Sequence, residues 1–160
     1  MTFVARPPAS EIEQPPKEET AVVNDGFFPD IDPASVRDAA RIPTSITPAR
    51  LRAAILAAIM TVEIDLRAFA ADSIAAGHAT LAAVPAPQLD GQSVQSVRYQ
   101  RAIALYAKAE LIERHLDFDT TAAGGAEGND AATAIGSLRR DAMHAVRDML
   151  GVTRTTVELI

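Results

Sequence analysis

Glu110 and Glu113 stand three residues apart, a spacing that puts two carboxylates on one face of a helix, where such a pair could act as general acid and base. Lys108 and Arg114 flank them, and that pattern reads first as a solvated salt-bridge face. Asp30-Ile31-Asp32 and Asp117-Phe118-Asp119 have the look of hard-cation ligands. Each sits at a helix boundary, where aspartate serves more simply as a cap or turn residue. The histidines, His78, His115 and His144, fall in a loop, at a helix end and on a helix face. No Glu-x-x-His pair of the kind a di-metal bundle needs occurs. The segment GGAEG follows no strand and makes no phosphate loop. The sequence therefore predicts no catalytic residues, no metal site and no cofactor.

Nucleic-acid contact has one local candidate. Arg140, His144 and Arg147 step by i, i+4, i+7 along one helix, with Arg139 alongside. Asp141 and Asp148 interleave with them, so the stripe is mixed in sign. It reads as a solvated or inter-subunit face, or as a face toward DNA. No aromatic side chains alternate with these arginines, so base stacking is not on offer.

A third feature is apolar. The segment NDGFFPDIDP (24–33) places Phe27 and Phe28 side by side where the chain cannot be helical, although there are only seven aromatic residues, five Phe and two Tyr. Either the pair folds back as a plug on its own domain, or it is a hook for a partner. As a hook, Phe27 and Phe28 would be interface anchors held by Asn24, Asp25, Gly26 and the rigid Pro29.

At 160 residues the chain is expected to form one domain with tails. Hydrophobic residues make up 48% but aromatics only 4%, which points to an alanine-rich core of closely packed helices. Without cysteine there is neither disulfide nor thiolate chemistry. A net charge of −6 argues against a protein that coats nucleic acid. The cations are thirteen arginines and two lysines, Lys17 and Lys108. Arginine suits fixed interface contacts, although a GC-rich coding sequence produces the same bias. The longest apolar run, AAILAAIM (53–60), is bracketed by Arg52 and Glu63, so no membrane span is expected. The first twenty residues lack an apolar signal core, so export is not expected either.

Residues 1–23, with four prolines and a mixed charge run, read as an extended or disordered arm. Four helices are expected within a domain over 24–151. The first, 33–41, has Asp32 as cap and Pro33 at its first position; the second has Thr47 and Pro48 in the same roles and runs to Gly77. The second carries an inward stripe of Leu51, Ile55, Ile59, Val62, Leu66 and Phe69. Leu56, Met60 and Ile64 form another beside it, more apolar arc than one neighbour requires. The third helix, 93–116 with Ser93 as cap, is apolar nearly all round and should lie centrally. Residues 117–130 read as a glycine-rich turn, and the fourth helix as 130–150, ending at Gly151. The tail 152–160 is β-branched and strand-like. No internal repeat and no coiled-coil heptad of useful length is evident.

Six blocks, NDGFFPDID, TPARLRAAILAA, AGHATLAAVPAPQLDG, DFDTTAAG, RRDAMHAVRDMLG and TVELI, occur in an order and spacing that resembles the head completion protein of P2-like tailed bacteriophages. The resemblance runs from about residue 24 to the C-terminus. It implies an all-α structural virion protein, similar in role to head-to-tail adaptors. Such a protein would be made in the host cytoplasm and placed at the head–tail neck. It would form a ring under the portal, a dodecamer by resemblance, that extends the channel and retains packaged double-stranded DNA. Its partners would be the portal protein, a tail completion or terminator protein and further copies of itself. In that setting Phe27, Phe28, Pro29, Val157 and Leu159 become candidates for the portal or subunit interface. Arg139, Arg140 and Arg147 become candidates for the channel or an inter-subunit face. The competing reading is a monomeric helical DNA-binding or regulatory module using the same arginines.

Overall fold

The computed structural model describes residues 19–119 and 126–152. Through them run α1 (Pro33–Ala40), α2 (Pro48–Ala75), a 3-10 turn (Leu81–Ala83), the two-residue strands β1 (Gln88–Leu89) and β2 (Gln92–Ser93), α3 (Val94–Asp119) and α4 (Ala126–Met149). The fold is all-α, built on four helices among the described residues.

The first two helices start alike. The Asp32 carboxylate accepts from the Ala34 and Ser35 amides at 3.2 and 3.1 Å, satisfying donors that a helix start leaves orphaned. The hydrogen bond from the Ser35 hydroxyl is the main cause holding the Asp32 carboxyl below its usual range. Thr47 Oγ1 accepts from the Arg50 amide, and Pro33 and Pro48 occupy first-turn positions where no amide donor is missed. Arg41 stops α1 in the left-handed region at φ 50°, and Pro43 prevents resumption.

Leu51, Ile55, Val62 and Leu66 of α2 are fully buried, each stabilising by ~1.5–3 kcal/mol relative to exposure. They face α3, which packs against each of the other three helices and is central, as its all-round apolarity predicts. Ala102 and Ala107 of α3 are buried without side-chain bulk, which lets the helices approach closely. From α4, Ile135, Ala142, Val146 and Met149 turn inward. Its C-terminus closes with Gly151 at φ 67° and the Val152 amide donating to the Arg147 carbonyl, a Schellman-type end. Arg98 Nη1 and Gln95 Nε2 of α3 donate to the Asp148 and Met149 carbonyls at 3.0 and 3.4 Å.

Several boundaries differ from expectation. Glu19–Val23, assigned to the arm, are part of the packed body: Val22 and Ile31 exchange backbone hydrogen bonds of 2.8 and 3.0 Å, Arg37 pairs with Glu19, and Arg52 donates to the Thr20 carbonyl. Val22, 1% exposed, anchors the segment in the core, while Ala21 and Val23 on either side stay outside. α3 runs on to Asp119, and α4 begins at Ala126 inside the supposed glycine-rich turn. Leu89-Asp90-Gly91-Gln92 is a hairpin whose two central residues take φ 49° and 72°, the Asp-Gly signature of a type I′ turn. Ser93 directly precedes α3, but its hydroxyl is buried without a hydrogen-bond partner among the described residues.

Candidate assembly surfaces

Between the paired Val22 and Ile31 the chain makes a tight turn whose polar atoms are almost all used internally. Asp25 Oδ1 accepts from the Phe27 and Phe28 amides, both at 3.0 Å, which fixes the backbone that carries the two rings. Gly26, at φ 99°, supplies the left-handed conformation this requires. Asn24 donates from its amide nitrogen to Asp30 Oδ1 and from Nδ2 to the Tyr99 hydroxyl at 2.8 Å. That hydroxyl in turn donates to Glu63 Oε1 at 2.9 Å, linking the turn to α3 and α2. Burial first, and then the bond to Glu63, push the Tyr99 hydroxyl above the usual phenol range, so it remains a donor.

Phe28 stacks on Tyr99 with ring centroids 4.8 Å apart, and Phe27 meets Phe28 edge-on at 5.0 Å. Their exposures are 5% and 4%. Of the two readings left open, plug and outward hook, the rings take the first, against their candidacy as interface anchors: Phe27 and Phe28 lie in the subunit's own core, and Pro29 is half-buried. Nothing in the local residue types could separate plug from hook. The decision came from Tyr99, seventy-five residues away, which offers a ring to stack on and a hydroxyl to satisfy Asn24.

The second stripe of α2 behaves oppositely. Met60 and Ile64 are each 63% exposed, and Leu56 and Ile74 are also outside. The outward positions Ala53, Ala57, Met60, Ile64, Arg67, Ala71 and Ile74 advance by alternating steps of four and three, a helix-packing seam over six turns. The sequence reading found its centre, Met60 and Ile64, but not its extent, because alanines and an arginine hold four of its seven positions. Beside it, a shallow groove floored by Phe28 and Ala70 separates α2 from the 24–28 turn.

A larger cleft, about 620 Å³, opens between α1 and α3. Val36 and Ala40 line it from α1, and Val97, Ala104 and Leu105 from α3. Asp30, Asp32 and Arg101 supply its charge.

The arginines of α4 divide. Arg139 pairs with Glu113 of α3 at 2.5 Å, so it fastens helix to helix. Arg140 is exposed with Asp141 3.8 Å away, and Arg147 is half-buried on the same side of α4. Glu110 pairs with Arg114 at 2.6 Å, so the two carboxylates singled out for acid–base chemistry are both engaged in ion pairs. Among the described residues no cluster of three or more His, Cys, Asp or Glu side chains could hold a metal, and no helix is long and apolar enough to cross a membrane. Val157 and Leu159 lie outside the described residues.

A family model described as phage head completion protein (GPL) matches residues 22–160. A head completion/stabilization protein of Escherichia phage P2 is 38% identical over 149 residues, 93% of this chain and 88% of that protein. A probable head completion/stabilization protein of Haemophilus phage HP1 is 28% identical over 144 residues, covering 89% and 94% respectively. No solved structure matches.

Proposed function

Because the chain belongs to the phage head completion protein family, we propose that this structural, virion-associated protein completes and stabilises DNA-filled heads as an adaptor ring seated under the portal. In that position it extends the DNA channel, helps hold the genome until a tail docks, and presents the surface that the tail completion or terminator protein meets. The observation that carries this reading is the family match over 22–160, which takes in both the helical body and the tail. The body supports it with uncovered apolar surface, Met60 and Ile64 of α2 foremost. Arg140 and Arg147, on the outer side of α4, give the ring a cationic element that holds DNA without sequence preference or meets acids of a neighbouring copy. The tail pairs as an added strand with a portal or neck segment, with Val157 and Leu159 seated in pockets.

Light scattering after size-exclusion, on the subunit alone and with purified portal rings, tests both parts. The full chain is expected to enter a high-mass complex only with portal, and a chain cut after Thr153 is expected to stay behind. A subunit indifferent to portal would end the adaptor reading. A truncated chain that joins normally would remove the tail from it.

A further inference from the structure

The outward seam of α2 and the α1–α3 cleft lie on opposite sides of the subunit. Tyr99 of α3 faces α2, since its hydroxyl donates to Glu63. Val97 and Arg101 are two residues to either side of Tyr99, and at ~100° per residue that places them roughly half a turn away, on the side of α3 turned from α2. These two residues line the cleft. Met60 and Ile64, in turn, are on the side of α2 turned from α3, opposite the buried Leu51, Ile55 and Val62. The subunit thus carries an apolar ridge on one face and an apolar-lined cleft on the other.

We infer that the ridge of one copy, Leu56, Met60 and Ile64, seats in the α1–α3 cleft of the next, and that this is the contact that repeats around the ring. The inference rests on the adaptor-ring reading and names its interface. Because the ridge and the cleft lie on opposite faces, seating one in the other cannot be reciprocated across a two-fold axis. They make a head-to-tail contact, which closes into a ring when the rotation between copies permits. The charges fit the same docking. Arg67, one turn beyond Ile64 on the seam, is exposed and carries the charge that Asp30 and Asp32 of the cleft complement. Val97, which lines the cleft from α3, is 36% exposed and gives an incoming side chain apolar surface to cover.

The sequence has no cysteine, so introduced thiols report cleanly. Met60→Cys and Val97→Cys chains would be mixed in equal amounts, assembled on portal rings and treated with a short bismaleimide, with assembly followed by electron microscopy. Cross-linked dimers are expected from the mixture and not from either variant alone. Ile64→Asp, at an exposed position, is expected to keep the helicity and Tm of the parent while losing tenfold or more of its occupancy on the portal. Self-cross-linking of Met60→Cys chains would show a two-fold contact and overturn the inference. A visible ring without the mixed cross-link, or with Ile64→Asp fully incorporated, would overturn it while leaving the ring reading intact. Failure of the parent chain to form any ring would remove both.

Discussion

The 22–31 turn and the outer face of α2 both carry more apolar surface than a short solvent-exposed segment should, and they meet opposite fates. The turn is drawn inside. Its backbone donors are met by Asp25, its ends are tied by Val22 and Ile31, and Tyr99 covers its rings, so burying it leaves few polar groups unpaired. The face of α2 stays outside for a geometric reason. A rigid helix can turn only one side toward α3, and no rotamer brings Met60 back from the opposite side. Apolar residues in a loop can be recruited by their own domain, whereas those on a helix's second face can be covered only by something further.

Substitutions that distinguish cohesion from contact sharpen this contrast. Phe28→Ala removes a ring packed against Phe27 and Tyr99, and is expected to cost about 3–5 kcal/mol in urea unfolding. Unchanged stability with lost portal binding would return the ring to the role of an outward anchor. Tyr99→Phe keeps the stacking but takes away the partner of Asn24 Nδ2 and of Glu63 Oε1. A loss of about 1–2 kcal/mol is expected, with little change in helicity. A neutral outcome would mean that stacking alone holds the turn. The smallest effect belongs to Met60→Ser, whose side chain touches little within the subunit. Its unfolding free energy is expected to stay within about 0.5 kcal/mol of the parent. A drop as large as that for Phe28→Ala would show that the α2 face is structural after all.

Much of the fold was written locally. Asp32-Pro33 and Thr47-Pro48 started two helices where they stand, because a side-chain acceptor followed by proline satisfies a helix start whatever surrounds it. The period of Leu51, Ile55, Ile59, Val62 and Leu66 identified the buried face of α2, since a helix has one geometry and its spacing declares it. The Asp90-Gly91 hairpin was equally local and went unread in the loop after Pro85 and Pro87. Membership of the head completion family was legible as a resemblance, carried by blocks spread along the chain. Tertiary structure decided what depended on distant partners. Tyr99 determined that Phe27 and Phe28 are core, and Glu113 determined that Arg139 fastens α4 to α3. The placing of α1 and α2 on different sides of α3 determined that a cleft and a ridge point away from each other. Caps and periods are properties of neighbouring residues, whereas burial and the facing of surfaces are properties of elements brought together by the chain's path, which no window of sequence contains.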